Sequence, residues 1–90
     1  MKKSLKDLRN EIDAVDDELL KIIAERIDLV REIGLLKKEI KTQPLDEKRW
    51  QEVLTRIKIM ALKYKLPEKL IEKIYEEIHQ EALKIEKEYE

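Results

Sequence analysis

An apolar stripe of helical period runs from residue 5 to residue 40 of this 90-residue chain. No proline interrupts it, and Gly34 is the only glycine in the chain. Ser4 with Asp7 has the form of a capping box at its start. A helix over residues 4–41 would be about 55 Å long, whereas a domain of this size has a radius of gyration of about 12 Å. Half of the stripe would be exposed in a monomer, so we expect a partner chain to cover it.

Two breaks divide the rest of the chain into shorter helices. The segment KTQPL ends the first helical period, and Asp46 is suited to cap a second helix over residues 46–64. Pro67 is suited to be the first residue of a third helix, over residues 67–88. No strand pattern occurs between these segments. The sequence therefore predicts one all-α domain of three helices that spans the whole chain.

Composition excludes several classes of function. Charged residues make up 46% of the chain, yet its formal net charge is only -1, so nothing favours binding to nucleic acid or to an anionic membrane. No apolar run approaches the ~18 residues of a membrane span, and we expect a cytoplasmic protein. Cysteine is absent and histidine occurs once, which excludes thiolate chemistry and gives no ligand set for a metal site.

Two cations interrupt the apolar stripe of the first helix. Arg26 and Lys37 are about 20° apart around the axis and about 16 Å apart along it, with Val30 and Ile33 between them. They could extend to solvent or pair with a neighbouring glutamate. Alternatively, they form the two ends of a site for a small molecule with carboxylates. Arg9 points about 100° away from Arg26, so we expect it to reach a site on a partner chain.

The order of residues in the first helix carries a family resemblance. DLRNEIDAVDDELLKIIAER, then IGLLK and then PLDEKR are similar to the all-helical chorismate mutase family, and the resemblance extends from about Leu5 to Glu86. It implies rearrangement of chorismate to prephenate, toward phenylalanine and tyrosine, without any cofactor. It also implies an intertwined homodimer of three-helix protomers, in which the first helix spans both sites.

The resemblance implies a role for each matching cation and for one acid. Arg9 would cross from the partner chain to bind one substrate carboxylate, and Arg26 would bind another within its own protomer. Lys37 would donate to the ether oxygen of the C–O bond that breaks. Glu86 matches a position where the family places Gln or Glu against the same oxygen. From the sequence alone, an exposed glutamate would be equally ordinary at this position.

Four further positions concern recognition of the substrate. Asp46 and Arg49 match family positions near the substrate hydroxyl, although Asp46 is equally explained as a helix cap. Trp50 stands where many family members have Glu, and Ala82 stands where some use Ser to bind a carboxylate. Both departures affect substrate recognition. They leave open an isochorismate pyruvate lyase of the same fold.

A non-catalytic alternative also remains open. The near-continuous stripe and the abundant Lys and Glu side chains would suit a dimeric helical interaction module. Against it stands the cost of burying Arg26 and Lys37 without a ligand, several kcal/mol for each unpaired ion. The one histidine, His79, is predicted to lie on a helix surface.

Overall fold

The computed structural model describes residues 2–89, which form three α-helices with no strand among them. They are α1 (Leu5–Glu39), α2 (Glu47–Lys63) and α3 (Glu68–Lys87). The predicted all-α class is therefore confirmed. Helix α3 packs against both α1 and α2. None of the helices in this part of the chain has both the length and the apolar character needed to cross a membrane.

Local hydrogen bonds fix where α1 begins. The Ser4 hydroxyl accepts from the Asp7 backbone N–H at 3.0 Å, and the Asp7 carboxylate accepts from the Ser4 backbone N–H at 3.0 Å. The predicted capping box is thus confirmed. The backbone N–H of Ser4, and then its hydroxyl, hold the pKa of Asp7 below its ordinary value, because hydrogen-bond donors beside the carboxylate favour its ionised form.

The starts of the other two helices also follow from single residues. The Asp46 carboxylate accepts from the Arg49 backbone N–H at 3.0 Å, so the predicted cap of α2 is confirmed. Pro67 was predicted as the first residue of the third helix, and this is wrong by one position. With ψ of 120° its backbone is extended, so Pro67 is the N-cap and α3 begins at Glu68.

Helices α1 and α2 end in the same hydrogen-bonded turn. The Thr42 backbone N–H donates to the Lys37 carbonyl at 2.9 Å, which is the closing bond of a Schellman motif. Lys41 has φ of 57°, and Lys65 has φ of 57° at the equivalent position after α2. Both positions favour glycine, because an L side chain is strained in the left-handed region.

The molecule measures 59 × 24 × 15 Å, because the N-terminal half of α1 extends beyond the other two helices. Its apolar side chains are open to solvent in the single chain, with Ile12 58% exposed and Val15 64% exposed. The core is small and lies where α3 meets α1 and α2. Its buried apolar side chains are Val30, Val53, Ile57, Ala61 and Ile85.

Gly34 sets how closely α1 and α3 approach each other. A Cβ at this position would lie 3.2 Å from the Glu86 Cα and 2.6 Å from the Tyr89 ring. A side chain here would displace the Tyr89 ring and require the Glu86 backbone to give by a few tenths of an ångström. Lys37 lies one turn beyond Gly34, so this close approach places its side chain against α3.

Candidate active site

A cavity of about 360 Å³ opens between the C-terminal half of α1, the start of α2 and one face of α3. It is lined by six of the seven side chains predicted for a substrate site. These are Arg26, Lys37, Asp46, Arg49, Ala82 and Glu86. They come from all three helices, and the fold brings them to one place.

The charge of the cavity is opposite to that of the chain. Its lining holds four cations, with Arg56 added to the predicted Arg26, Lys37 and Arg49, against only two carboxylates. The chain as a whole has a formal net charge of -1. A cavity with excess positive charge concentrates anionic ligands. Its chemistry therefore suits a small molecule with more than one carboxylate.

Lys37 is held between a loop and α3. Its ammonium donates to the Pro44 carbonyl at 2.6 Å and lies 2.7 Å from Glu86 Oε1. The second distance makes an ion pair, but the atoms do not have hydrogen-bonding angles, and Glu86 Oε1 is buried without a hydrogen-bond partner among residues 2–89. The contact between Lys37 and Glu86 is therefore electrostatic, and it lies away from solvent in the single chain.

Arg26 is half-buried at one end of the cavity. Its guanidinium lies 5.9 Å from the centre of the Tyr75 ring on α3, within the range of a cation–π contact. Arg26 also borders a second, more apolar cavity of about 310 Å³ on the other side of the α1–α3 contact. The tyrosine and the two helices together limit where the guanidinium can point.

Arg9 is the predicted residue that the single chain does not bring to the site. It is exposed on the free part of α1, about 26 Å along the helix axis from Arg26. It does not line the cavity that contains the other six residues. Within one chain, the site lacks the cation expected at this position.

Asp46 both borders the cavity and caps a helix. It borders the cavity, and one of its oxygens caps α2 through the Arg49 N–H. The cap fixes the first turn of α2, and thereby the starting point of the Arg49 side chain. No three His, Asp or Glu side chains in the described part of the chain converge in a way that could hold a metal ion.

Comparison with known proteins assigns the family. A family model described as chorismate mutase type II matches residues 8–87. The chain belongs to the chorismate mutase type II family. It is also similar to the T-protein of Haemophilus influenzae, with 50% identity over 34 residues, which cover 38% of this chain and 9% of that relative. No solved structure matches the chain significantly.

Two polar residues that line the cavity of this chorismate mutase type II chain, Arg56 and His79, were not assigned to a site from its sequence. Arg56 lies two helical turns after Arg49, and this spacing on one face could have identified it. Trp50 and His79 stack in the cavity wall, with ring centroids 4.0 Å apart and planes inclined by 6°. His79 was predicted to lie on a helix surface, but it is half-buried under the indole. No spacing rule relates positions on different helices, so the contact between Trp50 and His79 could not be predicted from the sequence.

Proposed function

We propose that this chain is a chorismate mutase that rearranges chorismate to prephenate. In this intramolecular reaction the C–O ether bond breaks while a C–C bond forms, so no nucleophile, general base or cofactor is required. The observation that carries the proposal is the Lys37–Glu86 contact within a cation-lined cavity. Membership of the chorismate mutase type II family, over residues 8–87, supports it.

Binding would use the cations to select one conformer of the substrate. In this proposal Arg26 binds one carboxylate from α1, while Asp46 and Arg49 lie near the substrate hydroxyl. Guanidinium groups bind carboxylates through two parallel hydrogen bonds, which fixes direction as well as distance. Chorismate must adopt a compact, chair-like conformer in order to react. Cations fixed on rigid helices favour that conformer, which is catalysis by orientation.

Lys37 and Glu86 would act on the bond that breaks. Electron density builds on the ether oxygen in the transition state, and preorganised donors directed at that oxygen lower the barrier. Lys37 donates as an ammonium. Glu86 can donate only when its carboxyl is protonated, since a carboxylate would repel the developing charge. The buried position of both side chains supports this role, because charge stabilisation is stronger away from water.

The proposed active form is an intertwined homodimer of single-domain chains. The free half of α1 exposes Leu8, Ile12, Val15 and Leu19, each by 46% or more. Apolar surface of this extent along one helix face is typical of an interface. A second copy packed on it would bring Arg9 of the partner subunit toward the incomplete site. The two sites would then each need both chains.

The decisive experiment is to incubate the purified protein with chorismate. Loss of chorismate absorbance with formation of prephenate would establish the activity, and Lys37→Ala should abolish most of it. Lys38→Ala, one residue later and exposed, is the matched control and should keep wild-type turnover. A protein that binds no dicarboxylate and leaves chorismate unchanged would instead be a helical interaction module.

One observation supports a second candidate reaction. The cavity wall has Trp50 where the resemblance predicts a carboxylate in many family members, and isochorismate pyruvate lyases also lack that carboxylate. The same protein should therefore be incubated with isochorismate, and pyruvate measured. Pyruvate release with no formation of prephenate from chorismate would assign the lyase activity and reject the mutase.

A further inference from the structure

The stacked rings of Trp50 and His79 join two helices at the wall of the cavity. Trp50 lies in the first turn of α2, directly after Arg49. His79 lies on α3, two turns before Glu86 and therefore on the same face of that helix. Their nearly parallel planes, with centroids 4.0 Å apart, are within the range of an attractive aromatic pair.

Neither ring belongs to the buried core. Both side chains are half-buried, and both line the same cavity as Lys37 and Glu86. A pair that served only to pack α2 on α3 would be expected among the buried residues, such as Val53 and Ile57 of α2. The rings instead line the cavity that Arg49 and Glu86 also line.

The role of this aromatic surface follows from what the charged groups of the cavity leave unrestrained. Charged groups at the ends of the cavity bind carboxylates, but they place no restraint on the flat, unsaturated ring that connects them in the substrate. Aromatic side chains hold flat groups by dispersion and apolar burial, at little cost in conformational entropy. One wall therefore restrains the ring, and the others restrain the charges.

We propose that Trp50 and His79 act as one aromatic wall that packs against the substrate's six-membered ring and determines its orientation. This inference rests on the proposed function for the identity of the ligand. His79 supports the indole from α3, so it acts on the ligand partly through Trp50. The pair thus contributes to specificity for a cyclic dicarboxylate over an open-chain one.

The chain carries its own reporter for this proposal. Trp50 is its only tryptophan, so intrinsic indole fluorescence comes from the cavity wall alone. Titration of the wild-type protein with a stable dicarboxylate mimic of the chair-like transition state should change that fluorescence saturably. An open-chain dicarboxylate such as succinate should change it far less at the same concentration. This titration needs no substitution, so it decides the question even if a variant does not fold.

Three variants distinguish a role of the Trp50–His79 pair in ligand binding from a role in helix packing alone. His79→Leu removes the stacking partner and should raise both KM for chorismate and Kd for the mimic by about 2- to 10-fold, with a smaller change in kcat. His79→Phe keeps an aromatic ring and should restore most of the affinity. Tyr64→Leu removes an exposed aromatic outside the cavity and should leave Kd unchanged. Circular dichroism should show the same helix content in all three.

The possible outcomes distinguish this inference from the proposed function. Turnover of chorismate without any saturable change in Trp50 fluorescence would reject the aromatic wall and leave the mutase proposal standing. Equal Kd values for His79→Leu and Tyr64→Leu would have the same meaning. Saturable binding of the mimic without turnover of chorismate would reject the mutase proposal and support the aromatic wall. Absence of both binding and turnover rejects both proposals.

Discussion

Lys37 Nζ lies 2.7 Å from Glu86 Oε1, although the two residues come from the first and the last helix of the chain. The side chains are 20% and 10% exposed, so the pair is largely removed from water. Breaking such a pair leaves an uncompensated charge inside the protein. The same contact therefore contributes to folding stability as well as to the proposed chemistry. Substitutions can distinguish its effect on stability from its effect on kcat.

Lys37→Met should lower kcat by on the order of 10²- to 10³-fold, the scale for loss of one preorganised donor. It should also destabilise the fold by about 3 kcal/mol, because Glu86 then stays buried without its cation. Adding Glu86→Gln should recover most of the stability but not the activity. Thermal unfolding and steady-state kinetics of the single and double variants would test this. Equal melting temperatures for Lys37→Met and wild type would show that the ion pair is not formed in solution.

Glu86→Gln should keep most of the wild-type kcat, whereas Glu86→Leu should lower kcat by on the order of 10²- to 10³-fold, the scale for loss of one preorganised donor. Only a group that donates a hydrogen bond to the ether oxygen stabilises the charge that builds there, and the amide of glutamine donates without any added proton. The measurement is steady-state kcat of the wild type and of both variants under one set of conditions, with circular dichroism to compare their helix content. Equal kcat for Glu86→Leu and wild type would show that Glu86 is not the donor.

Arg9→Ala and Arg26→Ala should each be nearly inactive on their own. Mixed, unfolded and refolded together, they should regain roughly a quarter of wild-type activity, because half of the dimers are mixed and each mixed dimer has one intact site. Mixing each variant with itself is the control. If the refolded mixture is no more active than either variant refolded alone, the shared site is contradicted. Full activity in a fraction that light scattering shows to be monomeric would also contradict it.

Lys65→Gly should stabilise the protein by about 0.5–1 kcal/mol, because φ of 57° strains a side-chain-bearing residue but not glycine. Lys63→Gly, two residues earlier and within α2, is the matched control and should destabilise by about 1 kcal/mol. Thermal or urea unfolding of both variants would show whether each substitution raises or lowers the stability. A lower melting temperature for Lys65→Gly would mean that the left-handed turn after α2 is not populated.

Asp7→Asn should lower the melting temperature near neutral pH and have little effect in acid. The pKa of Asp7 is lower in the folded state than its ordinary value of 3.8, because of its hydrogen bonds with Ser4. Its stabilising effect is therefore complete above that value and is lost as pH falls through the lower, folded value. Asp13→Asn, at an exposed position later in α1, is the control and should leave the melting temperature near neutral pH close to that of the wild type. Melting curves at several pH values would compare the two.

Features that depend on near neighbours along the chain can be predicted from the amino-acid sequence. The capping box of Ser4 and Asp7 and the cap at Asp46 join residues three positions apart, so their spacing alone identified them. Arg26 and Lys37 were recognised because cations interrupted an otherwise regular apolar period. The same period predicted three helices and an α1 too long for one globule. These features need no knowledge of how the helices pack.

Which side chains meet across the helices depends on how the helices pack against each other. The Lys37–Glu86 pair and the Trp50–His79 stack each join two helices, and no periodicity specifies the relative rotation of separate helices. At Gly34 the missing Cβ leaves the space in which α1 and α3 approach each other closely. Contacts of this kind depend on packing of the whole core rather than on local propensity, and for that reason six of the predicted site residues line the cavity although their contacts were not predicted.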